Sequence, residues 1–170
     1  MGVGDTTKLT ATFAGGGLIG FALASRILSR GFDPFRMAMI GALVGLPAFA
    51  MVIFAAPAQS VAMFVLGVLL IGFGAGLFGH GTLTATMNFA PRDQVGLALG
   101  TWGAVQATAV GLGAALGGII RDVGSRQGAI GPWSADASGY VMVYGLEFVL
   151  LLVTLATMMP LLRSQRPAIA

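Results

Sequence analysis

Hydrophobic positions in this chain fall into long runs, and polar positions gather in short clusters between them. Crossing the hydrocarbon core of a bilayer as a helix takes about 20 predominantly apolar residues. Five runs meet that length: Leu9–Leu28, which carries Arg26 at its end, Met37–Ala56 between "RGFDPFR" and Pro57, Val61–Ala90, Leu97–Ile120 and Tyr140–Leu162. The third is too long for a perpendicular span, so tilt or extension beyond the bilayer is expected. Pro91 in "PRDQ" should end it, because proline disfavours helical geometry in the residue before it. Arg121–Gly139 is read as the only sizeable extramembrane loop from its Gly, Pro and Ser content, with Trp133 and Tyr140 placed to anchor at the interface. The pattern predicts an all-α integral membrane protein, a single transmembrane domain over residues 1–170 with no soluble domain.

Composition supports lipid as the solvent. Of 170 residues, 56% are hydrophobic and 9% charged, whereas a soluble domain carries about a quarter charged residues. The mean hydropathy is +0.91. The 27 glycines suit helices that approach closely inside a bilayer. No cysteine is present, which excludes disulfides, thiolate metal sites and cysteine nucleophiles. A pI near 10.2 does not point to nucleic acid, because nine basic residues stand against six acids and are dispersed at helix ends.

The N-terminus, "MGVGDTTK", lacks the basic region and apolar core of a cleavable signal peptide. It fits the short Met-Gly-x-x-x-Ser/Thr pattern of myristoylation, from which a multispanning chain would gain little. Five spans put the termini on opposite sides. With the C-terminus cytoplasmic, the inner side holds Arg26, Arg30, Arg36, Arg92, Arg163 and Arg166, and the outer side Lys8, Arg121 and Arg126. Basic residues concentrate on cytoplasmic ends, so this orientation is expected.

Half of a major-facilitator transporter has six spans, and five reads as six with one missing. "SRILSRGFDPFR", Ser25 to Arg36, has the look of the basic cytoplasmic turn joining the second and third helices of such a half. The resemblance then becomes specific. "TTKLTATFAGGGLIGFALASRILSRG", "ALVGLPAFAMVIFAAP", "IGFGAGLFGHGTLTATM" and "GLALGTWGAVQATAVGLGAALGGIIRD" closely resemble the C-terminal part, helices eight to twelve, of the PucC and LhaA proteins. That family is the bacteriochlorophyll-delivery branch of the major facilitator superfamily in purple phototrophic bacteria. The resemblance implies a photosynthetic inner membrane, a role in assembling light-harvesting complexes, bacteriochlorophyll as cofactor, and antenna polypeptides or a reaction-centre complex as partners. The chain departs from the family in lacking the N-terminal half and the seventh helix. Alternating access needs two bundles rocking about a central site, so one incomplete bundle is not expected to transport by itself. A truncated product, one piece of a split protein completed by a separate chain, and a remnant reused as a structural subunit all fit.

His80, the only histidine, lies among five glycines in "IGFGAGLFGHGTLTA". Neutral imidazole suits a chlorin-bound magnesium, and a histidine in a membrane helix is a functional hypothesis by default. Gly76 and Gly79 would leave room for a flat macrocycle. The competing reading is a hydrogen bond from His80 to a neighbouring helix, with the glycines serving only close packing. Gly76, His80 and Thr84 repeat every four residues, Asn88 continues the row, and such a row should face protein, pigment or water. Thr82 and Thr86 can bond their own backbone and need no special role.

Glu147 is the only acid inside a clearly apolar span. It should be protonated, paired or near an interface, as a proton-coupling group, a partner for a pigment carbonyl or another helix, or an outer-interface acid bonded to Tyr144 or the loop. Gln106 and Trp102, one turn apart in the fourth span, are further candidates for pigment contact, although buried Gln usually bridges helices and Trp usually packs. Gly16 and Gly20, Gly72 and Gly76, and Gly113 and Gly117 have the four-residue spacing of close helix packing. The turn with Arg26, Arg30, Asp33 and Arg36 reads as structural, meeting helix ends and lipid phosphates. No phosphate-binding loop or catalytic pair of acids is present, so no enzyme is expected. Three functions remain: an accessory protein of light-harvesting assembly, half of a secondary transporter, and a purely structural subunit.

Overall fold

A computed structural model describes residues 3–164. It contains five helices, α1 Val3–Leu28, α2 Pro34–Ala55, α3 Val61–Phe89, α4 Val95–Arg126 and α5 Ala135–Ser164, all long and apolar enough to cross a membrane. No strand occurs among the described residues; one isolated bridge joins Ile130 and Trp133 in the loop before α5. The chain is a multi-pass membrane protein.

Local signals set several helix ends. Asp33 caps α2 by accepting the Arg36 backbone N–H at 2.7 Å, with Pro34 at the first helical position, where proline's missing N–H costs nothing. Ser60 caps α3 through the Met63 N–H at 3.2 Å. Pro91 ends α3 as expected, holding Ala90 at ψ 137°. The expected loop Arg121–Gly139 is shorter than the apolar pattern implied. α4 continues to Arg126 and α5 begins at Ala135, because charged residues end a hydrophobic run without ending a helix. Gly128, at φ 88°, provides the left-handed turn just past α4 that glycine adopts without cost.

α3 is the centre of the molecule, packed between α1 and α2; α5 lies on α2, and α4 on α5. No hydrophobic effect drives helices together in lipid, so contact depends on close approach and hydrogen bonds. The α1–α3 contact uses glycine on both sides. A Cβ at Gly16 or Gly20 would strike the carbonyls of Leu69 and Phe73, and one at Gly72 or Gly76 those of Phe13 and Gly17. The α2–α3 contact repeats the device at Gly41 and Gly74, where a Cβ would stand 2.6 and 2.7 Å from the opposing carbonyl oxygens. Ala24, Met37 and Leu77 form a buried cluster where α1, α2 and α3 meet.

α4 is different. None of its most apolar stretch is buried. It touches α3 weakly and meets α5 near its own C-terminal end, where the Ser138 hydroxyl donates to the Gly124 carbonyl at 3.1 Å. The spacing of Gly113 and Gly117 therefore does not mark a tight contact among the described residues. A Cβ at Gly113 would meet nothing within 4 Å, and one at Gly117 only the Val143 side chain at 3.6 Å.

Candidate functional site

The glycine row of α3 carries His80 against α1. Gly76 seats the backbone of Gly17 and Phe21, and one turn on the imidazole meets the Phe21 ring edge-to-face at 4.2 Å between centroids. Nδ1 of His80 is shut off from the surroundings and has no hydrogen-bond partner among the described residues. Nε2 is not shut off in this way and likewise has no partner. The hydrogen bond to a neighbouring helix that the sequence also allowed is not made among the described residues.

The two glycines expected to make room for a macrocycle behave differently. The space beside Gly76 is filled by α1, whereas a Cβ at Gly79 would meet nothing within 4 Å. A magnesium ligand needs a neutral imidazole with one accessible nitrogen. His80 fits that need through Nε2, with open space at Gly79, and Gly76 contributes helix packing only. Ligating histidines usually donate their second N–H to an acceptor; here Nδ1 has none among the described residues.

Thr84 and Thr82 exchange the roles their positions suggested. Thr84 lies on the His80 face, yet its hydroxyl donates to the His80 carbonyl at 2.8 Å and is consumed within its own helix. The Thr82 hydroxyl also turns back, to Phe78 at 3.0 Å or Gly79 at 3.1 Å, but its oxygen accepts the Trp102 indole N–H at 3.3 Å. This bond joins α4 to α3. Two residues from His80 correspond to about 200° around a helix, so Trp102 meets α3 on the side facing away from His80. Asn88, at the end of the row, is exposed. Gln106 is half-buried on α4 and makes no hydrogen bond among the described residues.

Two grooves flank α4. One, of about 530 Å³, lies where α3 passes into α4 and is lined by Thr86, Pro91, Gln94, Leu97, Trp102 and Val105 among others. The other, of about 360 Å³, lies between α4 and α5 and includes Glu147, Tyr140, Tyr144 and Arg121. Glu147 sits near the middle of the span Ala137–Pro160, away from either end, and has no hydrogen bond or ion pair among the described residues. Tyr144 instead packs its ring near Phe49 of α2, 6.1 Å between centroids. Arg121 is held by Asp122 at 2.6 and 2.9 Å and lies 5.9 Å over the Tyr140 ring.

The six residues singled out as candidates for pigment contact lie apart. Gly76, His80 and Thr84 share one face of α3, Trp102 joins α3 elsewhere, Glu147 lines a separate groove, and Gln106 stands alone. Sequence reasoning missed Phe21, whose ring packs edge-to-face on His80, and Thr82 as an acceptor. Trp133 is also more than an interface anchor: its indole donates to the Ile53 carbonyl at 2.9 Å, tying the loop to the end of α2.

Comparison with known proteins places these features in context. The family described as PUCC protein matches residues 1–166. Protein PucC of Cereibacter sphaeroides is 54% identical over 164 residues, 96% of this chain and 36% of that protein. Protein PucC of Rhodovulum sulfidophilum is 65% identical over 131 residues, 76% of this chain and 29% of that protein. Protein PucC of Rhodobacter capsulatus is 46% identical over 95% of this chain and 35% of that protein. The chain therefore spans about a third of the length of the curated relatives it matches. No solved structure matches.

Proposed function

The chain belongs to the PUCC protein family, and from that premise we propose that it is an accessory protein for assembly of photosynthetic light-harvesting complexes, handling bacteriochlorophyll and contacting antenna polypeptides. The observation that carries the pigment assignment is His80. It is an intramembrane histidine with one nitrogen enclosed, the other accessible, and no partner for either among the described residues. An unsatisfied polar group in hydrocarbon costs several kcal/mol; a metal bond at Nε2 would remove that cost for Nε2, while Nδ1 stays without an acceptor among the described residues. Bacteriochlorophyll would supply a Lewis-acidic magnesium and an apolar macrocycle; His80 would hold the metal, Phe21 would orient the imidazole, and Gly79 would leave room alongside. The localisation proposed with this reading is the inner membrane of a purple bacterium, with the C-terminus cytoplasmic.

Purification of the wild type and His80→Ala in mild detergent, with bound pigment compared by absorbance, tests the assignment. The reading expects the variant to lose most of its pigment while keeping its helical content. Equal pigment in both would remove His80 as the ligand.

A second reading is favoured by α4. Its apolar stretch has no buried residue, and a Cβ at Gly100, Gly103, Gly111 or Gly113 would meet nothing within 4 Å, as in a bundle completed by further helices. On that reading the chain is one part of a secondary transporter, and it should purify together with a chain supplying the complementary spans.

A further inference from the structure

We infer that the groove between α4 and α5 is a docking site for a transmembrane helix that presents a cationic hydrogen-bond donor at mid-membrane depth, opposite Glu147. The inference rests on the accessory reading for the kind of partner, a membrane polypeptide, and not on His80.

Three observations converge on this groove. Glu147 lines it near the middle of the α5 span, seven residues beyond Tyr140, which is about 10 Å deeper along the helix axis. No group among the described residues hydrogen-bonds or pairs with it. The cation lining the same groove, Arg121, is already bonded to Asp122 through two nitrogens. An acid within hydrocarbon is costly and ordinarily meets a partner.

The α4 side of the groove is built of small residues that nothing among the described residues fills. A Cβ at Gly113 or Gly118 would meet no atom within 4 Å, and at Gly117 only one side chain at 3.6 Å. Elsewhere in this molecule glycines of that spacing are filled: Gly72 and Gly76 seat the backbone of α1. Small residues let helix backbones approach, and a polar group between them adds a specific tie. The complement to a carboxyl group is a donor, best a cationic one. A lipid acyl chain would cover the glycines but leave Glu147 unmatched, and an anionic headgroup would be repelled by it.

The test uses the full chain reconstituted in phospholipid vesicles with a dye-labelled leucine–alanine transmembrane peptide. The peptide carries either one central lysine or leucine at the same position, and association is read by energy transfer to labelled protein. The lysine peptide should associate about tenfold more tightly than the leucine peptide. Glu147→Leu should abolish that preference, and Gly118→Leu should weaken association of both peptides. Equal association of the two peptides with the wild type overturns the inference without reliance on any variant, as does a lysine preference that survives Glu147→Leu. A phospholipid retained by the wild type and lost from Glu147→Leu, with no peptide preference, assigns the groove to lipid and also overturns it. Pigment content in the His80→Ala comparison does not depend on this groove, so the two proposals fail separately.

Discussion

Hydroxyls in a membrane helix usually turn back on their own backbone, and Thr10, Thr12, Thr84, Thr86, Thr101 and Thr154 do so. Thr82 does this and also accepts the Trp102 indole N–H, so one side chain serves two helices. Hydrogen bonds between membrane helices average about 0.6 kcal/mol and reach about 1.7. Trp102→Phe and Thr82→Val should therefore each lower stability by roughly that amount, and the double variant by little more than either. A double-mutant cycle on unfolding in detergent measures the coupling; full additivity would show that the bond contributes nothing. The glycine-lined setting of His80 was legible in the sequence, because the only histidine stands among five glycines inside an apolar run. The importance of Thr82 was not. Which residue two positions along a helix meets a tryptophan twenty residues away depends on how the helices cross, and periodicity along one helix does not encode that.

At the scale of elements, the distinction that matters is between glycines that meet backbone and glycines that meet nothing. Gly72→Val should destabilise the α1–α3 pair, since its Cβ would strike the Phe13 carbonyl and overpacking costs about 1–3 kcal/mol. Gly113→Val should leave the isolated chain within about 0.5 kcal/mol of wild type, as open surface positions do. Thermal unfolding of the two variants in detergent, followed by loss of helical signal, separates them; equal destabilisation would contradict the packing described. The five helices were readable from apolar run length, and the α3 stop from Pro91. The ends of α4 and α5 were not, because helix geometry continues through Arg121, Asp122 and Arg126 after the hydrophobic run has finished. The four-residue glycine spacing was equally visible in α1, α3 and α4, yet only α1 and α3 use it against each other. Spacing reports that close approach is permitted, and contact requires a neighbour.

At the scale of the whole molecule, three helices form a well-packed group around α3, α5 rests on α2, and α4 presents most of its surface outward. That surface is where further polypeptide or pigment has room to bind. The proposed orientation has its own test, simplified by the absence of native cysteine. Single cysteines at the exposed positions Ser29 and Gln127 should react from opposite faces with an impermeant thiol reagent, Ser29 from the cytoplasmic face. Labelling of Gln127→Cys from the cytoplasmic face would reverse the topology.

The central claim, an accessory role in assembling light-harvesting complexes, is tested most directly by purifying the tagged chain from the membranes of its native host. The co-purifying polypeptides and pigments are then identified. The account predicts bacteriochlorophyll together with antenna polypeptides in that preparation. A preparation free of pigment and antenna polypeptides, in which the chain is instead paired with a polypeptide supplying the complementary helices, would contradict it.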